Sequence, residues 1–265
     1  MPVESAGSVS RASISACSRR VAWFASRATG AVRVQDAGVP LPRSTRADLR
    51  EVFRFGLPVG GQLFAEVGIF GVATIVAASM GTLPVAAHTI ALNLCSFTFS
   101  LAVGVGAATS VRVGHAVGAG DLGLARRRGL IGLASGLTVM GALALGLVAA
   151  PRQIAGLLTD QPEVIAATVP LLVIAAIFQL SDGTQAIAAG ALRGLGDTRA
   201  TFIGNVVGHY GVGLVISLGL GFSAGMGVVG LWWGLSAGLT VTALVLVVRF
   251  FARTSALRTP TEIPR

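Results

Sequence analysis

Between residues 53 and 251 the chain alternates long apolar runs with short polar breaks, a pattern that predicts membrane-crossing helices. The runs fall at about 53–80, 85–108, 130–150, 164–192, 200–220 and 228–251. Each reaches the roughly 20 residues that a helix needs to cross a hydrocarbon core about 30 Å thick. The breaks hold residues that end helices, as in Gly81-Thr82-Leu83-Pro84, Pro151-Arg152, Asp160-Gln161-Pro162 and Gly194-Leu195-Gly196-Asp197. Residues 221–227 read as a turn, and the second run continues amphipathically to Gly118. The expected fold class is all-α integral membrane: a six-helix bundle over 43–252, followed by a tail at 253–265.

Polar residues inside these runs are few, and they recur at helical spacing. Gln62 precedes Glu66 by one turn on the first run, and Gln179 and Gln185 flank Asp182 on the fourth. The second run carries Thr89, Asn93, Ser96 and Ser100, and the fifth carries Thr201, Asn205 and His209. Of eleven acidic residues, only Glu66 and Asp182 sit well inside a run. An ionisable group in that position costs ~2.5–3.5 kcal/mol even on the lenient insertion scale, so each carboxyl is a candidate for function. Turning all four polar faces toward one water-accessible cavity would let both carboxyls meet a cation. The alternative is that Glu66 and Asp182 are protonated and bonded to Gln or Asn as interhelical glue. His88, near the start of the second run, reads equally as a packing or capping residue or as a proton site.

Composition agrees with a chain immersed in lipid. Mean hydropathy is +0.79. Charged residues make up 12% of the chain, about half of what a soluble domain carries. The 36 glycines suit close helix approach, and Gly132/Gly136, Gly204/Gly208 and Gly230/Gly234/Gly238 have the small-xxx-small spacing of packing faces. Cys17 and Cys95 have no motif spacing. No nucleotide-binding, metalloprotease or nucleophile-elbow motif is present, which argues against an enzyme and against a cofactor.

All 20 basic residues are Arg, and their placement gives an orientation. Arg43, Arg46, Arg50, Arg54, Arg112, Arg126, Arg127, Arg128, Arg193, Arg199, Arg249, Arg253, Arg258 and Arg265 fall on one side of the bundle, and only Arg152 falls on the other. Positive charge stays inside, so both termini are expected in the cytoplasm of a multi-pass plasma-membrane protein. The net charge of +9 follows the membrane boundary instead of forming an aromatic-laced patch, so no nucleic-acid partner is expected. Residues 1–42 stand apart as a Ser/Arg/Ala-rich stretch whose apolar cluster at 21–25 is too short to span. They resemble an organelle transit segment in composition, but a disordered tail or a spurious start is the simpler expectation.

Several segments resemble motifs of the multidrug and toxic compound extrusion (MATE) family, of the MOP superfamily. Ala86-Ala87-His88-Thr89-Ile90-Ala91-Leu92-Asn93 resembles the opening of that family's eighth helix. Val111-Arg112-Val113-Gly114 with Gly118-Ala119-Gly120-Asp121 resembles its next cytoplasmic loop, and the stretch from Ala188 to Thr198 resembles the loop after the tenth helix. Gly230-Leu231-Trp232-Trp233-Gly234 resembles the start of the twelfth, and Gly56-Leu57-Pro58 the entry of the seventh. Five such segments occur in order from about Asp48 to Phe251, closer to the NorM-type branch than to the DinF-like one.

The resemblance implies the carboxyl-terminal six-helix lobe of a two-lobed transporter. It also implies that Glu66 and Asp182 bind a coupling cation, Na+ or H+, beside a cavity lined by Gln62, Asn93, Phe178, Gln179, Gln185 and Asn205. Some sodium-coupled members carry Tyr where Phe178 stands, which weakens the case for sodium and leaves protons open. The implied activity is cation-coupled efflux of organic, cationic, drug-like molecules. Two alternatives remain: a truncated or split subunit that needs a separate amino-terminal lobe, and a lipid or polysaccharide flippase of the same superfamily. The flippase ranks lower because no Arg lies deep inside the predicted spans.

Overall fold

A computed structural model describes residues 46–256, and the contacts below all lie within the compact unit that begins at Arg50. The expectations for residues 1–42, and for the tail beyond residue 256, lie outside the described residues. Every described element is helical: α1 (Arg46–Ser79), α2 (Thr82–Gly118), α3 (Leu122–Ala149), the short α4 (Pro151–Gly156), α5 (Pro162–Gly194), α6 (Thr198–Ser223) and α7 (Gly227–Ala256). Six of them are long and apolar enough to cross a membrane.

At the Arg-rich end the helices outrun their apolar cores. α2 has 37 residues, about 55 Å at 1.5 Å per residue, so its last turns and the first of α3 carry Arg112 and Arg126–Arg128 beyond any hydrocarbon layer. Arg126 lies over the Phe251 ring, 5.4 Å from its centroid, where the positive head meets the ring's electron-rich face.

α5 is the hub, packed against α2, α3 and α7, and it buries more of itself than any other span. Glycine makes that possible. A Cβ on Gly106 of α2 would stand 2.9 Å from the Ala186 carbonyl oxygen, and one on Gly190 of α5 would collide with the Gly106 carbonyl. The seam between α6 and α7 is built the same way: Gly208, Gly213 and Gly238 stack backbone on backbone, and Gly230 faces the Leu220 carbonyl. Lipid tails are as apolar as the side chains, so tight van der Waals contact between backbones replaces the hydrophobic drive of a soluble core. The small-xxx-small pairs are therefore helix contacts, with Gly132 against Thr109 and Gly136 against Ile187.

α1 is different. No other helix approaches its backbone as closely as they approach one another. Its inner face is Gln62, Glu66, Ile69, Ala73 and Ala77, all buried, while Leu63, Phe64 and Val67 point outward. Long polar side chains therefore bridge this helix to the bundle.

Two Gly-Asp turns reverse the chain at the Arg-rich end. Gly120 and Gly196 adopt φ of +74° and +78°, the left-handed conformation that glycine tolerates without steric cost. Asp121 N–H bonds to the Ala116 carbonyl and Gly120 N–H to that of Val117; Asp197 and Gly196 repeat the pattern onto Leu192 and Arg193. Each is a Schellman closure, after which the aspartate caps the next helix by accepting from Leu124 N–H (2.7 Å) or Ala200 N–H (3.4 Å).

Asp197 has a second role. Its Oδ2 accepts from Arg249 Nε at 3.0 Å and Arg253 Nε at 2.9 Å, tying the last turns of α7 to the start of α6. Burial disfavours its charge, but the hydrogen bonds from Arg253 and Arg249 outweigh that and hold its carboxyl below the ordinary 3.8. A depressed folded value means that Asp197 adds stability at pH above the ordinary carboxylate range and loses it as pH falls through the lower folded value. Acid titration of detergent-solubilised protein is expected to show this loss below about pH 4. Asp197→Asn should be less stable at neutral pH and should lack that acid step.

Candidate functional site

Where α1, α5 and α6 meet, Glu66 receives two amide donors. Gln185 Nε2 lies 3.0 Å from its Oε1, and Asn205 Nδ2 lies 3.4 Å from its Oε2. A carboxylate only accepts, so these contacts fix both amides with nitrogen toward Glu66 and oxygen away from it. Gln62, one turn earlier on α1, lies within reach of the same carboxyl. Asp182, one helical turn from Gln185 on α5, lies close enough to feel the charge of Glu66 and within reach of Gln185. Arg193, in the last turn of α5, is the cation whose charge reaches Glu66. Both carboxyls are buried.

The cluster has more acceptors than donors. Gln62 Oε1, Asp182 Oδ1, Gln185 Oε1, Asn205 Oδ1 and His209 Nε2 are buried without a hydrogen-bond partner among the described residues. His209 Nδ1 lies 3.0 Å from the Asn205 carbonyl oxygen and so carries the ring proton, which leaves Nε2 as an acceptor in the neutral ring. Acceptors buried without donors cost free energy, and a proton, a small cation or a water would satisfy them. Two neighbouring buried carboxyls with unpaired amide oxygens around them suit a hard monovalent ion or a proton. Among the described residues there is no group of three or more Cys, His, Asp or Glu side chains that could hold a metal ion.

The backbone of α6 helps to shape this cluster. It widens from an α-helix into a π-helix over Val207–Leu214, just past Asn205, and again over Gly219–Ser223. Wide turns of this kind are frequent at functional sites because they re-aim side chains. Tyr210, the chain's only tyrosine, reaches from this segment to donate to the Ala65 carbonyl at 2.9 Å, beside Glu66. Sequence reasoning missed it, although a lone tyrosine next to His209 in an apolar run was a usable signal.

Three candidate residues lie elsewhere. Asn93 is exposed, as are Thr89, Ser96 and Ser100, so the second polar stripe points away from the pocket. The reason is register: α2 turns Ala87, Ala91, Cys95, Thr98 and Ala102 inward to meet α5, which places the stripe on the opposite face. Gln179 is buried but serves as a tie, accepting from Thr98 Oγ1 at 2.8 Å and donating to the Met140 carbonyl at 3.3 Å. Phe178 packs in an aromatic cluster, its ring centroid 5.9 Å from that of Phe70 and 5.3 Å from that of Trp232.

His88 resolves into a strut. Trp232 Nε1–H donates to its Nδ1 at 3.1 Å, so the proton sits on Nε2, which faces Thr74 Oγ1 at 3.1 Å; that hydroxyl in turn donates to the Phe70 carbonyl. The chain of bonds joins α1, α2 and α7 near the Arg-poor end. Trp232→Phe removes the donor and leaves a buried nitrogen unpaired, so the melting transition in detergent should fall by about 1–2 kcal/mol of stability. Trp233→Phe, at a half-exposed position, should change little.

Comparison with known proteins places this architecture. The MatE family model matches residues 58–218. A Deinococcus radiodurans protein named "Probable multidrug resistance protein NorM" is 43% identical over 216 residues, covering 80% of this chain and 48% of that protein. A Pseudomonas aeruginosa protein of the same name is 41% identical over 222 residues, covering 82% and 46%. The chain thus spans about half the length of the curated relatives it matches. Among solved structures, the eukaryotic MATE transporter AtDTX14 superposes with a TM-score of 0.77 at 19% identity, over 93% of this chain and 56% of that one. An inward-facing multidrug resistance MATE family transporter of the MOP superfamily gives 0.73 at 19% identity, over 82% and 50%. With the family match covering more than half of its length and its six-helix bundle superposing on MATE transporters, this chain belongs to the MatE family.

Proposed function

We propose that this chain forms the carboxyl-terminal lobe of a cation-coupled multidrug efflux antiporter, with Glu66 and Asp182 binding the coupling Na+ or H+. One observation carries the reading: two buried carboxyls lie within reach of the same glutamine, among buried side-chain acceptors on α1, α5 and α6 that have no donor among the described residues. An ion that enters this cluster stabilises whichever conformation closes around it, and a cycle runs only if ion and drug prefer different conformations. In this reading the Arg-rich end faces the cytoplasm and the protein resides in the cell membrane.

The exposed stripe on α2 favours a second lobe. The amide of Asn93 has no hydrogen-bond partner among the described residues and is exposed near the middle of a span, where lipid offers it none. A water-filled cleft between this lobe and another would satisfy it and would place it beside an organic cationic substrate.

Export of a fluorescent cationic dye tests both ideas. Cells lacking endogenous efflux pumps would express this chain alone or with an amino-terminal lobe taken from the Deinococcus relative. Export that collapses with the proton or sodium gradient supports coupled efflux. If it occurs only with the second lobe, the chain is a subunit. Dye retention unaffected by either arrangement would overturn the transport reading.

A further inference from the structure

At the Arg-rich end, α6 and α7 diverge to leave a furrow of about 600 Å³. Its mouth holds Arg199, Arg249, Arg253 and Asp197, and its walls are apolar, with Ile203, Val207 and Val245 prominent. A second furrow of about 580 Å³ lies between α1 and α6, with Arg54 and Arg199 at its mouth and Phe53, Leu57 and Phe202 along its walls. Arg199 and Ile203 line both, so the two furrows run side by side from one cationic point.

The chemistry of the mouth is specific. Three guanidiniums against one carboxylate leave a net charge of +2. Asp197 takes the Nε–H of both Arg249 and Arg253, which orients the two forks and leaves their terminal nitrogens without partners among the described residues. Planar guanidiniums held in this way match the oxygens of a phosphate. The walls select a lipid over a soluble anion. Val207 lies eight residues from Arg199, and Val241 eight from Arg249, so the furrow descends about 12 Å from the charged rim. Ile203, Val207 and Val245 are all about half exposed, so the furrow walls are open at the surface of the bundle, whereas Glu66 and Asp182 are buried. Among the described residues lining the rim, the one carboxylate, Asp197, is already held by two arginines, so it is not free to hold the cation of a zwitterionic headgroup.

We propose that the paired furrows seat one anionic phospholipid, its phosphate on Arg199, Arg249 and Arg253 and its two acyl chains on either side of Ile203. The site is separate from the carboxylate pocket and does not depend on transport. A third furrow, between α2 and α3, has Arg112 and Arg128 at its rim, but Arg128 Nη1 already donates to the Arg112 carbonyl at 2.8 Å.

Native mass spectrometry and melting of the purified chain in detergent test the proposal. The probes are phosphatidylglycerol, phosphatidylcholine, diacylglycerol and inorganic phosphate. Phosphatidylglycerol should be retained as a single adduct and raise the melting temperature, and the other three should not. Arg199→Gln touches no internal hydrogen bond and should weaken retention about five-fold, whereas the exposed Arg127→Gln at the same end should not. Ile203→Trp, which fills the ridge between the furrows, should also lose the adduct while keeping the unliganded melting temperature. Equal retention of phosphatidylcholine, an unchanged Arg199→Gln, or an equal loss in Arg127→Gln would each overturn the site. Stabilisation by inorganic phosphate alone would replace it with a soluble-anion site.

Discussion

Glu66→Gln should reduce ion-dependent dye efflux to background while the protein still inserts and purifies as a monodisperse species. The substitution keeps side-chain volume and can still accept from Gln185, but it places an amide nitrogen where Asn205 Nδ2 now finds an acceptor. The local repacking costs on the order of one hydrogen bond, about 1 kcal/mol, too little to unfold the bundle. What disappears is the group that changes charge when an ion arrives, and without differential affinity no gradient can drive the cycle. Asp182→Asn should behave in the same way, because its unpartnered Oδ1 belongs to the same cluster. The comparison is made at equal membrane abundance, in whichever lobe arrangement supports wild-type export. Wild-type efflux by either variant would remove that residue from the coupling site.

Gly190→Leu should have the largest effect on stability. A Cβ at this position already collides with the Gly106 carbonyl, and that carbonyl belongs to a helix backbone that cannot move alone. The α2–α5 contact must open, and with it the Thr98–Gln179 bond and part of the core around Ala102 and Ala186. Overpacking costs about 1–3 kcal/mol in adaptable cores, and a backbone-on-backbone contact sits at or above the top of that range. Detergent-extracted yield and melting temperature should both fall sharply. Gly141→Leu is the matched control, since a Cβ there meets nothing within 4 Å. Equal tolerance of both substitutions would mean that the α2–α5 seam is less tightly packed than described.

Much of the bundle was readable in one dimension. A run of 20 apolar residues has one low-energy fate in a bilayer, because only a helix satisfies its own backbone. Gly120-Asp121 and Gly196-Asp197 could be recognised as reversals, because a left-handed glycine followed by a capping carboxylate is a local device. The helix ends were harder to place. The amphipathic continuation of α2 to Gly118 was legible, but α3 already starts at Leu122 as Arg-bearing helix, a region where hydropathy falls silent although hydrogen bonding does not.

The site divides along the same line. Glu66 and Asp182 stood out because a carboxyl in an apolar run is rare and costly, and that cost depends on sequence alone. Which neutral polar groups would join them depended on helix rotation, which hydropathy does not encode when every face is apolar. So Asn205, Gln185 and Gln62 turned in toward Glu66, while Asn93 turned out and Gln179 became a tie to α2 and α3. Tyr210 came within reach of α1 through a π-helical turn, and Trp232 met His88 across 144 residues of chain.

The sequence alone therefore determined six spans, a charged end, two costly carboxyls and membership of a family, because each rests on local composition or on the order of motifs. The tertiary structure alone decided which acceptors lack donors, which glycines bring backbones together, and how three arginines and one aspartate form a rim over apolar furrows. Each of these depends on the rotation and separation of whole helices, which close packing fixes and which no single segment specifies.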